Sequence, residues 1–145
     1  MIWRQVLASG AKIVRCRNHC PPYVHLVYST KERRPFLKDE TIRVSTHRYL
    51  GGISKKLGCA PIIVGGVEDH VHLLARLGRT ITQAEWIKEL KRVSNLWLKK
   101  EHQIRQFEWQ RGYAAFSVSQ SDLKKCRIRS PTRLSIIRKL IFRMN

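Results

Sequence analysis

The chain has 145 residues, 43% of them hydrophobic, and 29 Lys and Arg stand against 10 Asp and Glu for a net charge of +19. That length fills one compact core and is too short for two. The charge points to a polyanion such as nucleic acid, with an anionic membrane surface second, while no run reaches the roughly 18–20 apolar residues that cross a bilayer.

Residues 1–20 hold four basic residues and no acid. Arg4, Lys12, Arg15 and Arg17 interrupt any apolar core that a secretory signal would need, so a cytoplasmic protein with no membrane partner is expected. Cys16, His19 and Cys20 look like half of a zinc site, but no second pair follows. Cys59 and Cys126 have no Cys or His nearby, and reduced thiols are the expectation for all four.

Tyr23–Tyr28 is β-branched and aromatic and reads as a buried strand, closed by the basic loop Ser29–Pro35. From Asp39 to Leu57, Ile42, Val44, Tyr49, Leu50, Ile53 and Leu57 recur at mostly helical intervals despite Gly51 and Gly52. Pro61–Val67 and His70–Arg76 read as two strands around the tight turn Glu68-Asp69, an antiparallel hairpin. Thr82, with Glu85 three residues on, starts a helix to Glu101 with the apolar stripe Trp86, Leu90, Val93 and Trp97. Trp86 and Trp97 read as core, and Trp109 is open between core and a base-stacking platform. Phe107–Trp109 and Tyr113–Val118 read as short strands, and Ser119 or Ser121 can cap a last helix from near Asp122. The order is β-α-β-β-α-β, the ferredoxin-like α+β arrangement of an antiparallel sheet with both helices on one face.

Two residues apart on a strand, His70 and His72 project from one face about 6–7 Å apart at the backbone. Two neutral imidazoles so placed can hold a divalent metal if a third ligand approaches from another element. The alternative is a pair of half-buried strand histidines with satisfied hydrogen bonds.

Four blocks decide the context: Tyr23-Val-His-Leu-Val-Tyr-Ser-Thr-Lys31, Gly65-Gly-Val-Glu-Asp-His-Val-His-Leu-Leu74, a helix with Leu90-Lys91 and Ser94, and Trp109-Gln-Arg-Gly-Tyr-Ala-Ala-Phe-Ser-Val-Ser119. In this order and spacing they resemble the single-tyrosine HUH transposases, the insertion-sequence 200-like and REP-associated tyrosine transposases of bacteria. The likeness spans residues 21–123, leaving 1–20 as an extension and 124–145 as a divergent basic tail. It implies a ferredoxin-like nuclease, usually a homodimer, that recognises hairpins in single-stranded DNA. The histidine pair, here His70 and His72 with Val71 between, would bind Mg²⁺ or Mn²⁺. A tyrosine on the helix after the last block would attack the phosphorus, storing the bond energy as a phosphotyrosine ester. Asp69 matches the acid before the pair. In the helix from Thr82 the likeness singles out Lys91 and Arg92 as phosphate contacts, and in the basic loop Lys31, Arg33 and Arg34; the rival for the helix is an ordinary solvated mixed-charge face.

The chain departs from the family at the nucleophile. No tyrosine follows Tyr113, the family's structural tyrosine, and residues 122–132 read Asp-Leu-Lys-Lys-Cys-Arg-Ile-Arg-Ser-Pro-Thr where a tyrosine is expected near position 128. Pro131 also interrupts the last helix, and eight basic residues without an acid fill 124–145. A shifted reading frame after about Leu123, with another before the family-like region, accounts for both flanks; the rival is a genuinely divergent basic tail. The chain as written is expected to be a transposase-type domain that binds single-stranded DNA hairpins, binds metal weakly at best and does not cleave. The alternatives are a non-catalytic hairpin-binding relative and an RNA-binding ferredoxin-like module, the latter opposed by strands without clustered aromatics.

Overall fold

A computed structural model of the chain describes residues 22–119 and Leu123. Four strands and two helices follow one another as β1 (Tyr23–Ser29), α1 (Glu40–Lys56), β2 (Ala60–Gly66), β3 (His70–Arg76), α2 (Gln83–Glu101) and β4 (Ala114–Val118), with one 3-10 turn at Lys31–Arg33. The sheet order is β2-β3-β1-β4, and β1–β3, β1–β4 and β2–β3 all pair antiparallel. This is the ferredoxin-like arrangement read from the sequence.

Alternation along the two central strands sorts their side chains. Val24, Leu26 and Tyr28 of β1 stand opposite Ala75, Leu73 and Val71 of β3. All six are buried in one cluster with Leu50 and Ile53 of α1 and Trp86, Ile87, Leu90 and Leu98 of α2. That is the helix-covered face. His25, Val27, His70, His72 and Leu74 fall by the same alternation on the opposite face.

Helix starts follow the local chemistry. The Asp39 carboxylate accepts from the Thr41 and Ile42 N–H groups at α1. At α2, Thr82 and Glu85 form the reciprocal capping box that their spacing predicts. The apolar stripe of α2 is rotated from the expected one: Trp86 and Leu90 are buried, but Ile87, Ser94 and Leu98 complete the buried set. Val93 and Trp97 lie at the flank, with Trp97 stacked on Tyr49 at 4.2 Å between ring centroids.

Two features differ from expectation or fall outside it. Phe107–Trp109 forms no strand; a single bridge joins Trp109 to Thr30, and both aromatic side chains turn into the core instead. Burial alone satisfies the period-two pattern there, without a ladder. The last helix lies outside the described residues except for Leu123, whose N–H donates to the Ser119 carbonyl at 3.2 Å. The half zinc site Cys16, His19 and Cys20, Cys126, and both flanking segments also lie outside them.

Candidate metal and DNA site

The turn between β2 and β3 brings the site into being. Val67 N–H donates to the His70 carbonyl at 3.0 Å, closing the hairpin tightly. The backbone comes so near at Gly66 that an added Cβ would collide with the His70 carbonyl oxygen and lie 2.8 Å from Val71 Cα. Glycine at position 66 is therefore what lets β3 begin at His70.

His70 and His72 share the face of β3 opposite the helices, with ring centroids 5.1 Å apart. Each is held by its Nδ1. His70 Nδ1 lies 2.6 Å from Asp69 Oδ1. His72 Nδ1 lies 3.0 Å from Nε2 of His25, whose ring stacks on it at 5.2 Å. His25 comes from β1, where it neighbours Phe116 of β4. Its place in the site was missed in the sequence. The signal was there as a histidine on the face of β1 that alternates away from Val24, Leu26 and Tyr28, but its partner depends on a strand register that one strand does not disclose.

Electrostatics favour neutral rings at His72 and His25. Burial, then the neighbouring His25 and His70, drives the His72 pKa down to about 3, and burial lowers that of His25 as well. For Asp69, burial works upward, but hydrogen bonds from His70 and Arg33 and their charges outweigh it and hold the carboxyl below its usual value. A neutral imidazole fixed at Nδ1 by a carboxylate or another acceptor presents its Nε2 lone pair, the usual form of a metal ligand. His72 Nε2 is buried and has no hydrogen-bond partner, so the donor set fits a divalent ion at this pair. Among the described residues no three His, Cys, Asp or Glu side chains group to hold a metal by themselves.

The basic loop is built against this corner. Glu32 and Arg33 both adopt positive φ, 56° and 54°, a conformation that non-glycine residues enter at a cost. Neighbouring bonds hold it. Thr30 N–H donates to the Asp69 carbonyl at 2.8 Å, Lys31 N–H to the Glu108 carbonyl at 2.8 Å, and Thr30 Oγ1 to the Arg34 carbonyl at 2.6 Å. The result sets Arg33 Nε 3.0 Å from Asp69 Oδ2, so that Arg33, Asp69 and His70 form one chain of contacts.

The other four candidate DNA residues also have partners. Lys31 pairs with Glu108, Arg34 with Glu32 and Arg92 with Glu89, all on the surface. Exposed pairs of this kind contribute little to stability and leave the basic groups available to phosphate. Lys91 differs. Its ammonium, half-buried, donates to the carbonyls of Gln110, Arg111 and Gly112 at 2.8, 3.2 and 2.9 Å, which occupies all three of its donors. It also lies over the Tyr28 and Tyr113 rings, 5.2 and 5.6 Å from their centroids. Trp109 joins the core, its indole N–H donating to Ser94 Oγ at 2.9 Å.

Among the described residues no helix is long and apolar enough to cross a membrane. A comparison with curated proteins found no match. Solved structures share the fold, among them the following two. A Deinococcus radiodurans R1 chain assigned as a transposase aligns with a TM-score of 0.58 at 23% identity, covering 79% of this chain and 93% of its own. A REP-associated tyrosine transposase, solved bound to a REP hairpin, aligns with a TM-score of 0.53 at 9% identity, covering 81% of this chain and 68% of its own. The family described as "Transposase IS200 like" matches residues 20–128, most of the chain and every described element. The chain therefore belongs to the IS200-like transposase family.

Proposed function

We propose that this transposase-family chain binds hairpin-bearing single-stranded DNA as a homodimer, holds Mg²⁺ or Mn²⁺ through His70 and His72, and does not cut the strand. The observation that carries the metal assignment is the state of the two rings: both Nδ1 atoms are committed, to Asp69 and to His25, which leaves both Nε2 atoms to one sheet face. A divalent ion bound there supplies Lewis-acid polarisation of a phosphate oxygen. Lys31, Arg33, Arg34 and Arg92 neutralise backbone phosphates, with Arg33 linked to His70 through Asp69. Lys91 shapes the Gln110–Gly112 loop beside them. Hairpin DNA is supported by the family and by the likeness to the hairpin-bound REP-associated transposase.

None of the four tyrosines suits the attacking role. Tyr28 lies on the helix side of the sheet and burial raises its pKa, Tyr49 stacks on Trp97, and Tyr113 shares with Tyr28 the contact with Lys91 of α2, on the side of the sheet away from the histidine pair. Tyr23 shares the histidine face, but it stands four residues along β1 from Val27, the partner of His72, about 13 Å at the rise of a strand.

A nicking assay on hairpin-bearing single-stranded DNA with Mn²⁺ tests this. The expected result is a mobility shift without cleavage, and without a covalent protein–DNA adduct under denaturing conditions. Cleavage with an adduct overturns the assignment of inactivity. Equal affinity for a matched RNA hairpin overturns the choice of DNA, and a monomer by light scattering overturns the dimer.

A further inference from the structure

We propose that His25 is a positioning residue for the metal pair, accepting the Nδ1–H of His72 at its Nε2 so that the His72 Nε2 lone pair faces the metal position. This rests on the reading of His70 and His72 as metal ligands.

The 3.0 Å contact between His25 Nε2 and His72 Nδ1 allows two arrangements of the shared proton. If His25 donates, the His72 proton sits on Nε2. That atom is buried and without a hydrogen-bond partner, so an N–H there would suffer the desolvation penalty of an unmade bond. If His72 donates, the orphan becomes a lone pair, which is what a ligand needs. The second arrangement removes the buried unsatisfied donor and gives His72 the same polarity as His70, whose Nδ1 faces Asp69.

The fold holds His25 in this role. In the β1–β3 register Val27 stands opposite His72 and Leu74 opposite His25, which makes the two histidines diagonal neighbours on one face. The rings stack with an interplanar angle of 29°, and Phe116 bounds His25 on its β4 side. Both His25 and His72 are buried, so water does not compete easily for the bond. The two ligands then differ in their support. A carboxylate backs His70 and a neutral imidazole backs His72, so the orientation of His72 depends on His25 alone among the described hydrogen bonds.

The test uses the full chain and Mn²⁺ as probe, titrated by electron paramagnetic resonance, together with long-range ¹H–¹⁵N spectra that report imidazole tautomers. In the wild type His72 is expected as the Nδ1–H tautomer; an Nε2–H tautomer overturns the proposal whatever the variants do. His25→Leu, which keeps bulk and removes the acceptor, should weaken Mn²⁺ binding about 10–100-fold. His25→Gln, whose carboxamide oxygen can take the place of the ring Nε2, should restore affinity to within about threefold. A merely structural role would not give that rescue. Wild-type affinity in folded His25→Leu overturns this proposal alone, provided the His70→Ala, His72→Ala double variant has lost the ion. Unchanged Mn²⁺ binding in the double variant overturns the metal reading beneath it.

Discussion

Lys91 shows how one side chain can tie a helix to a loop. Its three donors reach carbonyls nineteen to twenty-one residues away, and burial nonetheless pulls its pKa down to about 8. The predicted consequence of Lys91→Met is a loss of about 1–3 kcal/mol in unfolding free energy, since three carbonyls lose their partner. The hairpin affinity of the variant should keep its slope against salt. A direct phosphate contact would instead lower that slope by about one, so denaturation and salt titration together separate the two roles. The pH dependence has a definite sign. Between about pH 8 and the ordinary value of 10.5 the unfolded chain holds a proton at this site that the folded chain has released. Wild-type stability relative to Lys91→Met should therefore rise with pH across that window; a falling difference would contradict the assignment. The sequence marks Lys91 as a basic residue in a family block and no more, because backbone carbonyls leave no residue signature.

At the scale of elements, two tryptophans repeat one device. Trp86 of α2 donates from its indole N–H to Ser54 Oγ of α1, and that hydroxyl donates to the Cys59 carbonyl. Trp109, ahead of β4, donates to Ser94 Oγ of α2, whose hydroxyl in turn donates to the Leu90 carbonyl. Each buried indole is thus satisfied by a helix serine, and the serine fixes where the tryptophan-bearing segment docks. Ser94→Ala should cost about 1–3 kcal/mol by leaving the Trp109 N–H unpaired in the core, measured as a lower denaturation midpoint with unchanged slope. A cost near zero would mean that the indole finds another acceptor. Much of the element layer is legible in the sequence. The Thr82–Glu85 box, the β2–β3 hairpin around Glu68-Asp69 and the alternation of β1 each rest on interactions within a few residues. Phe107–Trp109 misleads because alternating burial and strand pairing leave the same pattern. His25 is illegible for a related reason: its meaning lies in the pairing of β1 with β3, and that register is set by the whole sheet.

Across the whole molecule, most of the net charge and the proposed recognition site fall in different parts of the chain. Residues 1–20 and 124–145 carry 12 of the 19 net positive charges and no acid, whereas 21–123 carry 17 basic and 10 acidic residues around the histidine pair. Long-range attraction to a polyanion grows with net charge and does not read shape. Recognition of a hairpin needs fixed groups, and the fixed groups of the histidine corner, Arg33 on Asp69 beside His70 above all, belong to the central region. Replacing the twelve flanking Lys and Arg by Gln should therefore weaken binding to a hairpin and to an unstructured strand of equal length by the same factor, leaving their affinity ratio within about twofold. The salt dependence should fall for both substrates, by about 0.7 in log–log slope for each single-strand phosphate that is no longer neutralised. Fluorescence anisotropy over a salt series measures both quantities. If the ratio collapsed while the slope barely changed, shape recognition would have to be placed in the flanks. With the ratio preserved, the modest charge of residues 21–123 suffices for recognition, and the +19 of the whole chain sets how tightly any single strand is held.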